Sequence, residues 1–226
     1  MSSSTAPGPS ATVPGLAHHF ESLEQQHQAA SIGMWAFLVQ EVMFFGGLFT
    51  VYLVYRSLYP SAFSEGSSHL PIELGTFNTA VLIGSSLTMA LAVRCAQLGR
   101  SRQVAYFVLA TMLLACVFLG VKTLEYSHKW HDSLVPGLRW APEAGADPHL
   151  NLFFALYFVM TGCHALHMVI GLAVMLVVVS RAWRGRYSRS NYQGVECLGL
   201  YWHFVDLVWI FLFPLLYLLH GHGGHA

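Results

Sequence analysis

Charge is what this sequence has least of. Only 10% of its 226 residues are Asp, Glu, Lys or Arg, whereas a soluble domain carries about 25%. Lysines plus arginines number 11 and aspartates plus glutamates number 11, so the formal net charge is zero. With no basic surplus to neutralise phosphates, a nucleic-acid partner is excluded. The four cysteines, Cys95, Cys116, Cys163 and Cys197, form no C-x-x-C pair and no metal-type spacing. Cys116 and Cys163 fall inside apolar runs, where a thiol acts as a small hydrophobe. No positive segment precedes an apolar one at the start, so residues 1–17, rich in Pro, Ser and Ala, read as a disordered lead-in rather than a secretory signal. No internal repeat is evident, which removes support for a repeat-built transporter.

Hydrocarbon is what the chain has in excess, at 55% by the usual apolar set. Five runs are long enough to cross ~30 Å of bilayer at ~1.5 Å per residue. They lie at about 31–55, 72–98, 104–124, 150–180 and 198–219. The expected fold is all-α, an integral membrane bundle of five transmembrane helices over residues 31–219. A polar N-terminal segment (1–30) precedes it and a His/Gly tail (220–226) comes after it. Residues 57–71 and 126–149 read as loops, the second with Trp130 and Trp140 at an interface. Gly46-Gly47 reads as a flat surface for close helix approach, and Glu125 with Lys129 as an i,i+4 pair.

With five spans the chain ends on opposite sides. Arg94, Arg100, Arg102, Arg181, Arg184, Arg186 and Arg189 share the side of the N-terminus; Arg56, Lys122, Lys129 and Arg139 share the other. The excess of basic residues on one side predicts a cytoplasmic N-terminus and an outward C-terminus.

The informative residues are the polar ones inside these runs. Asp at a helix centre costs roughly 2.5–3.5 kcal/mol on insertion scales, so such residues mark partners or function. Candidates are Glu41, Asn78, His164, His167, His203 and Asp206, with Glu125 and Glu196 near helix ends. His164 and His167 are spaced i,i+3, as are His203 and Asp206, so each pair shares a helix face. The functional readings are metal ligation by His164 and His167, a proton relay from Glu41 to a histidine, or either role for His203 and Asp206. The plainer reading is hydrogen bonding that fixes helix register. A di-iron site would need several carboxylate–histidine sets, and no Glu-x-x-His set is repeated here. No metal site is therefore expected.

Five segments in order resemble one known family, subunit III of the haem–copper respiratory oxidases. Gly33-Met34-Trp35-Ala36-Phe37-Leu38-Val39-Gln40-Glu41-Val42-Met43-Phe44-Phe45 is similar to the family segment that holds a buried carboxylate, which falls on Glu41. Asn78-Thr79 with the apolar run after it resembles the next helix, and Leu124-Glu125-Tyr126 an acidic-Tyr segment. Thr161-Gly162-Cys163-His164-Ala165-Leu166-His167-Met168-Val169-Ile170-Gly171 resembles the pattern T-G-x-H-x-x-H-x-x-x-G. Glu196 and the run Tyr201-Trp202-His203-Phe204-Val205-Asp206-Leu207-Val208-Trp209 resemble the closing signature. Many family members have seven helices; this chain has room for five and lacks the counterparts of the first two.

The resemblance implies a non-catalytic core subunit of a proton-pumping oxidase in the cell's inner membrane. It carries no cofactor of its own; haem and copper belong to partner subunits I and II. It implies direct contact with subunit I, bound phospholipid, support of proton uptake, and cytochrome c as electron donor. The alternatives are a subunit III of a quinol oxidase, a nitric-oxide-reductase-associated homologue, and a stand-alone transporter or proton channel.

Overall fold

The computed structural model describes residues 22–141, 147–188 and 191–218. The expectations for residues 1–17 and for the His/Gly tail lie outside the described residues. Five helices are long and apolar enough to cross a membrane: α1 (Leu23–Leu58), α3 (Ile72–Gln97), α4 (Ser101–His131), α5 (Leu150–Trp183) and α6 (Gln193–Tyr217). A short helix, α2 (Pro60–Ser68), and a hairpin of two-residue strands, β1 (Leu134–Val135) with β2 (Arg139–Trp140), accompany them among the described residues.

Local chemistry sets the helix ends. Ser22 caps α1, its hydroxyl accepting from the Gln25 N–H at 3.1 Å, and Glu24 sits in the first turn, where the helix dipole favours an anion. The polar residues 23–30 therefore extend the first span as helix. Pro60 disfavours helical backbone at Tyr59, which ends α1, and itself starts α2 at a position that needs no donor. So 57–71 is not a simple loop. It folds back as α2 because Ala62, Phe63 and Gly66 bury against α5, with Phe63 edge-on to Phe153 at 5.5 Å. Likewise α4 continues past residue 124 to His131, since Lys122, Glu125 and Lys129 bury one face. The β1–β2 hairpin begins only after α4 has ended.

α3 and α5 end alike. Gly99 (φ +74°) and Gly185 (φ +69°) adopt the left-handed conformation. This lets the N–H groups of Arg100 and Arg186 reach the carbonyls of Cys95 and Arg181, closing both helices on the same side of the bundle.

α6 is the centre of the bundle and α1 its margin. α6 packs against α3, α5 and α1, and half of its most apolar window is buried, against 22% for α1. Two tryptophans of α6, Trp202 and Trp209, are fully buried, and their indole N–H groups donate to Ser85 Oγ and Thr79 Oγ1 on α3, both at 3.1 Å. Gly171 of α5 lies against Trp202, where a Cβ would fall 2.9 Å from the indole ring. Gly46 and Gly47 differ from expectation: a Cβ at either would meet nothing within 4 Å, so neither brings a helix of this chain close.

Candidate functional site

Three polar assemblies occupy the bundle. The first is closed on itself and joins α4, α5 and α6. Lys122 Nζ donates to Glu125 Oε2 (3.1 Å), Tyr217 Oη (2.8 Å) and Tyr157 Oη (3.2 Å). Those three acceptors use all three ammonium protons. The two phenols in turn donate to Glu125 Oε1, Tyr157 at 2.6 Å. Lys122 is 4% exposed and Glu125 1%. The indole ring of Trp209, centred 5.2 Å from Nζ, adds cation–π attraction. The expected Glu125–Lys129 pair is therefore replaced by Glu125–Lys122 at i,i+3, while Lys129 donates to the His69 carbonyl. Next to it, Thr161 Oγ1 donates to the Tyr157 carbonyl at 2.6 Å, so Tyr126 Oη must be the donor in its contact with Thr161. A cavity of about 420 Å³ lined by Glu125, Lys129, His128 and His69 opens beside this assembly.

The second assembly joins α1 to α5. His167 Nδ1 lies 2.7 Å from the Cys163 carbonyl, which only accepts, so this nitrogen carries a proton. Nε2 lies 3.1 Å from Glu41 Oε2. That contact needs one more proton, on the imidazole or on the carboxyl, so the pair holds a shared exchangeable proton. Phe45 covers it edge-on, 5.3 Å from the imidazole, and Tyr201 of α6 donates to the His167 carbonyl at 2.8 Å.

The third assembly lies between α3 and α6. Ser86 Oγ and His203 Nδ1 are 2.8 Å apart. Asp206, one turn on, is 4% exposed, and neither carboxylate oxygen has a hydrogen-bond partner among the described residues. Nearer the end of α6, Gln97 Nε2 donates to Glu196 Oε1 at 2.8 Å.

The structure thus brings Glu41 to His167, joins Glu125 to a network, and places His203 and Asp206 on one face. It does not join His164 to His167 as a ligand pair. His164 is enclosed by Phe118 and Trp209, and among the described residues neither its ring nitrogens nor the buried Asn78 amide has a hydrogen-bond partner. Among the described residues, no three His, Cys, Asp or Glu side chains are arranged to hold a metal. Sequence reasoning missed Lys122, Tyr157 and Tyr217. Lys122 was counted only among the basic residues of the outward side, although its i,i+3 spacing to Glu125 was the available signal.

These features define a class: a multi-pass helical membrane protein whose interior polar residues chiefly tie helix to helix. Residues 16–221 match the family model described as cytochrome c oxidase subunit III. The chain is 38% identical over 188 residues to a cytochrome c oxidase subunit 3 of Synechocystis sp., covering 83% of this chain and 74% of that protein. It is 35% identical over 189 residues to that of Thermostichus vulcanus, covering 83% and 86%. A cytochrome bo(3) ubiquinol oxidase subunit 3 of Pseudomonas aeruginosa is 29% identical over 187 residues, covering 83% of each. The chain belongs to the cytochrome c oxidase subunit III family.

Proposed function

We propose that this chain is the non-catalytic core subunit III of a proton-pumping terminal oxidase that reduces oxygen with electrons from cytochrome c. It packs directly against subunit I, with subunit II in the same complex, while haem and copper reside in those partners. The observation that carries this reading is how the buried polar side chains are used. The fully satisfied Lys122–Glu125–Tyr157–Tyr217 network and the Glu41–His167 pair connect helices, which is scaffold chemistry. The relatives at 38% and 35% identity are named for cytochrome c oxidase, which favours cytochrome c over quinol as donor.

Glu41 and His167 support proton uptake through the proton they share. Phospholipid and a neighbouring subunit cover the outer face of α1, where Val39, Met43 and Leu53 are exposed. The complex lies in the cell's inner membrane with the N-terminus cytoplasmic and the C-terminus outside. Lys122 supports that orientation: it is buried in an ion pair rather than free in a loop, so the outward side has fewer loop charges than a bare count of basic residues assigns it.

Purification in mild detergent tests the reading. Mass spectrometry is expected to find oxidase subunits I and II with this chain, and the complex to show reduced-minus-oxidised haem bands absent from the isolated chain. A stoichiometric haem in the isolated chain, or purification without other oxidase subunits, overturns it. Glu41→Ala is expected to leave the chain inserted but to weaken subunit association or shorten the active life of the oxidase. Unchanged complex yield, proton pumping and turnover lifetime would remove Glu41 from the function.

A further inference from the structure

The groove between α3 and α6 is built unlike the rest of the bundle. Two adjoining cavities, of about 340 and 410 Å³, share Ala90 and His203 and form one furrow along these helices. Its lips are apolar and open sideways: Ile83 is 58% exposed, Leu87 62% and Ile210 46%. Its floor is polar. Asp206, halfway along α6, has both carboxylate oxygens buried and without a donor at hydrogen-bond distance among the described residues; the neighbouring Ser86 hydroxyl attracts the carboxyl more weakly and lies 2.8 Å from His203 Nδ1. Pro214 has no N–H, which removes the helical donor that would serve the Ile210 carbonyl on the same wall. The floor therefore offers carboxylate oxygens that find no donor at hydrogen-bond distance among the described residues.

We propose that this groove is the seat of a transmembrane helix of another subunit, one that presents a hydrogen-bond donor to Asp206 at mid-membrane depth. The inference rests on reading the chain as an oxidase subunit and adds where, and by what chemistry, a partner engages it. Complementarity selects the occupant. A lipid acyl chain fills apolar volume but carries no donor, and a headgroup belongs at the interface rather than halfway across. A carboxyl group at that depth needs a protein partner or a water-filled cavity, and the apolar, laterally open lips disfavour water. Ser86 and Ala90, four residues apart on α3, both line the groove. Small residues at that spacing let a second helix backbone come close.

The test is made in the assembled complex. A diazirine-bearing residue replaces Ile83 or Leu87 in turn, and the photo-adducts are identified by mass spectrometry. The expected result is a covalent adduct to a membrane helix of another subunit. Asp206→Leu is expected to lower that adduct at least fivefold, while Asp206→Asn, which keeps an acceptor, largely restores it. Adducts to lipid alone, or to water alone, overturn the inference, as does a protein adduct unchanged by Asp206→Leu. Should Asp206→Leu not assemble, the adducts in otherwise wild-type protein still decide. Lipid adducts in a complex that retains its oxidase partners refute the groove assignment alone; purification without those partners refutes the underlying reading.

Discussion

Glu125 and Asp206 are both carboxylates within membrane-spanning helices, and at 1% and 4% exposure they are almost equally buried. Their surroundings differ completely. Glu125 accepts from one ammonium and two phenols contributed by three helices, so its desolvation is offset inside the chain. Asp206 has no donor at hydrogen-bond distance among the described residues, only the weaker attraction of the Ser86 hydroxyl, and lies on the floor of a groove that opens sideways. Burial alone does not tell what a polar residue in a membrane helix is for; the count of satisfied hydrogen bonds does. A closed network locks a bundle, and an unsatisfied group at a lateral opening calls for something outside it.

The comparison can be broken or sharpened by substitution. The largest effect is expected for Glu125→Leu, which leaves the Lys122 ammonium buried without its counter-charge. Removing one partner of a buried pair costs about 3–5 kcal/mol, and Lys122→Met combined with Glu125→Leu should recover most of it. Asp206→Leu removes only the weak attraction between the carboxyl and the Ser86 hydroxyl, so thermal unfolding of the isolated chain in detergent should show little loss of stability. Equal destabilisation by Glu125→Leu and Asp206→Leu would end the distinction between the two sites.

Tyr217→Phe deletes one donor to Glu125 and is expected to lower stability by about 1.5–3 kcal/mol, the range for hydrogen bonds to charged groups. Ser86→Ala, in the open groove, should lose only about 0.5–1.5 kcal/mol, because its bond to His203 is a single neutral one. The same melting experiment on both variants checks that order.

A small effect is also expected at a third carboxylate, Asp147, which lies outside the spans. The His149 backbone N–H (2.8 Å) and the Ser61 hydroxyl (2.7 Å) hold it below its ordinary value of 3.8. A lowered folded value means that the contribution is present above that ordinary value and lost as pH falls through the lowered one. An acid titration should therefore loosen the α2–α5 connection slightly in wild type, and Asp147→Asn should flatten that response. Hydrogen exchange at Ser61 and His149 reads it out.

Much of the architecture was legible in the chain itself, because a membrane span is a one-dimensional property. Length and apolar continuity mark it. Elements that depend on neighbours were not legible. α2 looked like a polar loop because its reason to fold is the Phe153 ring on α5, far along the chain. Lys122 looked like one more basic residue of the outward side because both phenols that accept from it lie on other helices.

The candidate polar residues divide along the same line. That Glu41, His167, His203 and Asp206 sit within apolar helices is evident from their positions, as is the sharing of a face at i,i+3 spacing. Which of them meet is not. Glu41 reaches His167 across 126 positions of sequence, and His203 reaches Ser86 across 117. His164, one turn from His167, lies against the Phe118 and Trp209 rings, and neither of its ring nitrogens has a hydrogen-bond partner among the described residues. Sequence alone determined that this is a five-span helical bundle with costly polar residues inside it, because hydrophobicity and helical period are local quantities. Tertiary structure alone decided that Glu125 is satisfied and Asp206 is not, because a hydrogen bond needs two groups within about 3 Å, and only packing brings distant helices that close.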